Sequence, residues 1–186
     1  MAGMSDAPTP DSGTVDRFRA VMLPHLDAAY GFARWLARDP VLAQDVAQEA
    51  MLRALRYFHA FRGEDARPWL LRIVRNTWTD MRAKSGANDR PLDEIEDRAA
   101  EGPDPEQSAL EGDRRRHVAA ALAALPAEAR EILVLREIED CSYKHIAAVL
   151  DLPIGTVMSR LARAREKLAT ELRGRLGRRG HGLPDL

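Results

Sequence analysis

The chain is poor in cysteine, in net charge and in long apolar runs, and each shortage removes a class of protein. Its one cysteine, Cys141, excludes an internal disulfide and fits a reducing compartment. No apolar run approaches the ~20 residues that a membrane-spanning helix needs. The opening residues, with Pro8, Pro10, Ser12 and Gly13, lack the apolar core of a signal peptide. A cytoplasmic protein with no direct membrane binding is therefore expected. With 28 Lys plus Arg against 29 Asp plus Glu, no overall positive charge draws nucleic acid to the chain. Also missing are a nucleophile beside a base in a recognisable setting, a phosphate-binding glycine loop and a paired-carboxylate site. No internal repeat or strand-like alternation is present. Catalysis by the chain itself is not expected, nor is a cofactor.

What is present is helical periodicity. The 186 residues, 45% of them hydrophobic, suffice for one core of moderate size or two small ones. Charge is unevenly spread, with acidic residues gathered in the middle (Asp93, Glu94, Glu96, Asp97, Glu101, Asp104) and basic ones towards the end (Arg160, Arg163, Arg165, Lys167, Arg173, Arg175). A near-neutral total thus conceals a basic C-terminal third.

Taken in order, residues 1–14 are small, polar and proline-containing, and read as a disordered lead-in. Residues 15–84 form a first helical domain. Phe18, Val21, Met22, Leu26, Ala29, Phe32, Ala33 and Leu36 return every three or four positions, which predicts a helix bent near Pro24. Asp39 and Pro40 punctuate it, and Leu42, Val46, Ala50 and Leu55 line the inner side of the next helix. Its outer side carries Asp45, Gln48 and Glu49 at i, i+3 and i+4, on one face. A charged loop with Phe61 and Gly63 leads to a helix opened by Pro68, with Leu70, Ile73, Val74, Thr77 and Met81 inward. Trp69 is expected to be mostly buried, holding that helix in place. Residues 85–112, rich in Gly, Pro, Asp and Glu, read as a flexible acidic linker. Residues 113–173 form a second helical domain, and residues 174–186 a mobile basic tail. The expected fold class is all-α, two small helical domains joined by the linker.

Within the second domain, residues Ser142 to Lys167 read as a helix-turn-helix. Ser142 suits an N-cap, Ile146, Val149 and Leu150 recur at helical spacing, and Asp151, Leu152 and Pro153 turn the chain. A second helix begins near Gly155 with a buried stripe of Val157, Leu161, Ala164 and Leu168. Thr156, Met158, Ser159, Ala162 and Arg163 lie on other faces, free to meet a DNA groove. Cys141 and His145 sit one helical turn apart, but two ligands do not make a metal site, and packing or surface roles are expected for both.

These stretches resemble a known family. Ala43-Gln44-Asp45-Val46-Ala47-Gln48-Glu49, followed by Pro68-Trp69-Leu70-Leu71-Arg72-Ile73-Val74-Arg75-Asn76 and then Asp80-Met81-Arg82, is similar to the sigma-2 domain of extracytoplasmic-function (ECF) sigma factors. Leu125-Pro126-Ala127-Glu128-Ala129-Arg130-Glu131 through Lys167, with Gly155-Thr156-Val157 and Ser159-Arg160-Leu161 inside it, is similar to their sigma-4 domain. The resemblance implies a factor that binds core RNA polymerase and directs it to promoters. Asp45, Gln48 and Glu49 would dock on the β′ clamp helices, with the β flap as a second polymerase contact. Phe61 and Arg62 would capture a base flipped from the −10 element, and Arg72, Arg75 and Asn76 would follow the −10 strand. The −35 element would be read by Met158, Ser159, Ala162 and Arg163, with Tyr143, Lys144, Thr156 and Arg160 placed for phosphates or packing. Met158 stands where the family often has a basic residue, and Ala162 where it often has a larger one. The resemblance also implies an anti-sigma factor as partner. Two other readings compete, a helix-turn-helix regulator that does not dock on polymerase and a sigma mimic that titrates an anti-sigma factor.

Overall fold

The computed structural model describes residues 12–63, 65–85 and 105–179, with 105–114 and 176–179 described as backbone only. The lead-in up to residue 11, the greater part of the predicted linker and the end of the predicted tail lie outside the described residues. All regular structure among those described is helical.

The first unit runs from α1 (Ser12–Met22) through a 3-10 turn at Leu23–His25 to α2 (Leu26–Ala37), then α3 (Pro40–Arg56) and α4 (Ala66–Ser85). The bend expected at Pro24 is that 3-10 turn, because proline cannot donate the i to i−4 bond and its ring crowds the preceding turn. Tightening the chain there shifts the helical phase, and Leu26, expected inward, is exposed. Arg38 ends α2 in the left-handed region at φ 57°. Asp39 then caps α3, its carboxylate accepting the Leu42 N–H at 2.8 Å, with Pro40 in the first turn. Phe32, Met22, Val46, Leu70, Leu71 and Val74 fill the core. Each such side chain contributes about 1.5–3 kcal/mol when fully buried. Ala29, Ala33, Ala43, Ala47, Ala50 and Ala54 are buried between them, small enough to let α2, α3 and α4 lie close together.

The second unit comprises α5 (Pro105–Ala124), α6 (Ala127–Leu133) with a π-turn at Val134–Ile138, α7 (Tyr143–Leu150) and α8 (Ile154–Arg179). Two bounds of this unit differ from expectation, as does the start of α1, whose first residues, Ser12 to Thr14, lie inside the stretch read as a disordered lead-in. α5 begins inside the stretch read as linker, at a proline suited to a helix's first turn. α8 continues past Gly174 to Arg179 where a tail was predicted. The two glycines in this extension, Gly174 and Gly177, cost about 1 kcal/mol each in a helix, too little to end one that is otherwise well supported. Arg130 is buried and donates to the carbonyls of Ala123 at 3.3 Å and Leu125 at 3.2 Å, satisfying the end of α5 where Pro126 cannot.

The π-turn at the end of α6 widens the helix by one residue, with the Glu139 N–H donating to Val134 O and the Cys141 N–H to Leu135 O, both at 2.9 Å. It turns Glu139 inward, towards the first unit. The two units meet there, α4 against α7 and α2 against α6 and the π-turn.

Candidate nucleic-acid interface

The helix-turn-helix forms as its sequence dictates. Ser142 is the N-cap of α7, its hydroxyl accepting the His145 N–H at 3.1 Å, and Asp151 closes the helix in the left-handed region at φ 55°. On α8, Val157, Leu161 and Ala164 are buried and Leu168 is half-buried, so the predicted stripe holds the helix to α6 and α5. Met158, Ser159, Ala162 and Arg163 consequently face outward, Met158 with 55% of its surface exposed. Lys144 is exposed as well, while Thr156 and Tyr143 are half-buried.

The arginines of α8 divide by their partners. Arg165 is held by Glu137 at 2.7 Å, and its hydrogen bonds to Glu137 and then Tyr143 push its pKa above the ordinary arginine value. Arg160 lies 3.4 Å from Glu128. Arg163 forms no ion pair among the described residues; its Nε donates back to the Ser159 carbonyl at 3.3 Å. Its remaining donors project beside the small, exposed Ser159 and Ala162, which suits a fork reaching for paired acceptors on a base edge.

On α3, Asp45 and Gln48 are exposed and Glu49 is half-buried, three neighbours on one face as their spacing requires. Sequence reasoning did not find what holds Glu49. Arg53, one turn later, donates from Nε to Glu49 at 2.8 Å and from an η nitrogen to Asp80 of α4 at 2.6 Å. Those two bonds, Glu49 first, raise the Arg53 pKa. The i, i+4 half of this network was available from spacing; the half that crosses to α4 was not.

The loop before α4 departs from expectation at Phe61. Only 8% of its surface is exposed, so in this structure its ring is not presented to a flipped base. It stacks on Phe58 at 5.8 Å between centroids and leans on Trp69 at 5.2 Å, while Phe58 meets Phe18 edge to face at 5.3 Å. Four aromatic rings converging here bury more apolar surface than one ring left in solvent, which is why the ring turns inward. Trp69 is half-buried and completes that cluster. Arg62, Arg72 and Asn76 are exposed. Arg75, grouped with Arg72 and Asn76 by sequence, is half-buried and donates from Nε to Glu131 of α6 at 2.7 Å.

Two further contacts cross between the units. Arg67 donates to Glu139 at 2.5 Å, and His145 approaches Asp65 to 3.4 Å. Burial pushes the Glu131 carboxyl above the ordinary range, outweighing the pull of Arg75. Sequence separations of 56 and 72 residues left no signal for either arginine pair.

Cys141 is buried and its thiol is pushed up to about 11, chiefly by desolvation, so it is neutral and unreactive near neutral pH. The His145 ring lies against Asp65. No cluster of three or more metal-ligating side chains occurs among the described residues, and none of their helices is long and apolar enough to cross a membrane.

Comparison with known proteins bears on both halves of the chain. Residues 22–87 match Sigma-70 region 2 and residues 115–168 match Sigma-70, region 4. The chain is 34% identical over 162 residues to the ECF RNA polymerase sigma factor SigE of Mycolicibacterium smegmatis, spanning 86% of this chain and 63% of that protein. To the RNA polymerase sigma-H factor of Pseudomonas aeruginosa it is 34% identical over 161 residues, spanning 81% of this chain and 83% of the relative. Among solved structures, the sigma factor RpoE bound to the anti-sigma factor NepR from Bartonella quintana superposes with a TM-score of 0.68 at 26% identity, over 85% of this chain and 98% of that one. Region 2 coincides with the helices that carry Asp45 and Arg72, and region 4 with the helix-turn-helix that presents Arg163, so this chain belongs to the sigma-70 family, in its extracytoplasmic-function class.

Proposed function

We propose that the chain binds core RNA polymerase, recognises a promoter at two spaced elements and initiates transcription from it, performing no chemistry of its own. The observation that carries this reading is the pairing, in one chain, of an exposed acidic face on α3 with an outward-facing helix-turn-helix. A regulator that only binds DNA has no use for the first, and a mimic that only binds an anti-sigma factor has no use for the second. Asp45, Gln48 and Glu49 dock on the polymerase, where exposed carboxylates facing a basic partner speed and orient association. Arg62 offers its guanidinium plane to a base flipped from the −10 element, and Arg72, Arg75 and Asn76 follow the −10 strand, arginine for phosphate and asparagine for a base edge. Met158, Ser159, Ala162 and Arg163 read the −35 element. The site of action is the cytoplasm, and an anti-sigma factor holds the chain inactive, in keeping with the NepR-bound relative.

The test is transcription with purified components. The chain added to core polymerase should yield run-off transcripts from promoters found by mapping transcripts after forced expression. Replacing both Asp45 and Glu49 by alanine should weaken core binding at least tenfold, on the order of 1.4 kcal/mol, while leaving the helical circular dichroism intact. Unchanged core affinity in that variant, or no core binding by the wild type, would remove the reading.

A further inference from the structure

The face of α4 that meets the second unit carries two arginines whose guanidiniums are already in use. Arg67 donates to Glu139, and Arg75 donates to Glu131 at 2.7 Å. Eight helical residues separate them, about 12 Å along the axis. Arg72 and Asn76, assigned above to the −10 strand, are exposed on the same helix, Arg72 one turn before Arg75 and Asn76 next to it. The hold on Arg67 is incomplete. Its Nε is buried and has no hydrogen-bond partner, so Glu139 engages one side of a fork built to grip two oxygens of one anion. A phosphate group offers those oxygens, and the guanidinium suits it as well as it suits a carboxylate.

We propose that Arg67 joins Arg72 and Arg75 in a phosphate-binding strip for the −10 strand, and that Glu139 and Glu131 occupy this strip in the closed chain. DNA then displaces the second unit by taking over two guanidiniums. The inference rests on the sigma-factor function proposed above. Its energetic logic is exchange. Opening the units with no anion at hand strips Arg67 and Arg75 of partners, whereas opening them onto a nucleic-acid backbone replaces each carboxylate by a phosphate and leaves no arginine unpaired. The contact between the units is also unsealed, with a cleft of about 860 Å³ between the end of α4 and the α5–α6 junction. The −35 face needs no such exchange, since Met158, Ser159, Ala162 and Arg163 already face outward.

The experiment measures binding of the full chain to a fluorescent 12-nucleotide single strand of mixed sequence, as a function of salt, with core affinity measured on the same samples. Arg67→Ala should make the dependence of log affinity on log salt shallower by about 0.7, the loss of one phosphate contact on a single strand, with Arg67→Lys close to wild type. Glu131→Gln with Glu139→Gln should tighten binding about threefold or more at low salt, because an amide oxygen holds a guanidinium less well than a carboxylate. Glu131→Gln alone, at the more exposed of the two glutamates, should shift it in the same direction. An unchanged slope for Arg67→Ala, beside a shallower slope for Arg72→Ala, would assign Arg67 to inter-unit packing alone and overturn the strip. Unchanged affinity in both glutamine variants would overturn the competition. Failure of the wild type to bind core polymerase is a separate readout, and it would remove the sigma-factor reading together with the inference.

Discussion

The two surfaces proposed to meet DNA are in different states of readiness. The α8 face stands clear of its own protein. Met158, Ser159, Ala162 and Arg163 are outward, and the arginines tied to carboxylates, Arg160 and Arg165, flank Arg163 without covering it. The α4 face is partly spoken for. Phe61 is folded into an aromatic cluster and Arg67 and Arg75 are held by glutamates of the second unit, while Arg62, Arg72 and Asn76 are exposed. A packed stripe beneath a helix presents its outer face unconditionally, whereas an arginine between two units is presented only when they part. Promoter recognition by this chain is therefore expected to be asymmetric, with the −35 half formed in advance and the −10 half completed on binding.

The largest break in that comparison comes from beneath α8. Leu161 is almost wholly buried, and Leu161→Ala should cost about 2–5 kcal/mol of stability in the unit it anchors. Thermal unfolding followed by circular dichroism should show the loss. Promoter binding through the −35 element should fail while single-strand binding by α4 survives; equal loss of both would mean that the two faces are not independent. A smaller change sharpens the same contrast. Arg163→Ala should remove about 1–3 kcal/mol of discrimination between a cognate −35 element and one altered at the contacted base pair, measured by competition binding, with single-strand affinity unaffected.

The smallest expected effect belongs to Glu131, and its sign is informative. Burial raises its carboxyl above the ordinary value of 4.5, and Glu128 adds to that shift while Arg75 and Arg130 oppose it. A group whose folded pKa is raised stabilises the fold fully below its unfolded pKa and loses that contribution as pH rises through the folded value. Ionised Glu131 therefore gains little net stability from Arg75, as expected where desolvation offsets attraction. Glu131→Gln should leave the neutral-pH melting temperature unchanged or slightly higher and flatten its dependence on pH just above 4.5. A marked destabilisation at neutral pH would show the pair to be a structural lock, ill-suited to exchange with DNA.

Much of this organisation was legible in the sequence because it is local. The Ser142 cap, the Asp39-Pro40 start of α3, the Pro24 bend and the Val157, Leu161 and Ala164 stripe each depend on residues within a turn or two of one another. So does the grouping of Asp45, Gln48 and Glu49, which follows from a period of 3.6 residues alone. The burial of Phe61 was not legible, because an aromatic residue in a charged loop carries no mark of whether Phe58 and Trp69 converge on it. Arg75 shares its sequence neighbourhood with Arg72 yet differs in exposure, since its partner arrives 56 residues later.

The sequence by itself thus determined the helices, their inner stripes, the helix-turn-helix and the shared face of Asp45, Gln48 and Glu49, all of which follow from short-range spacing and side-chain chemistry. Only the tertiary structure decided which of those residues are presented. The packing of α4 on α7 and the π-turn after α6 bring Glu139 and Glu131 against Arg67 and Arg75. Such pairings arise from the path of the whole chain, and no local period encodes them.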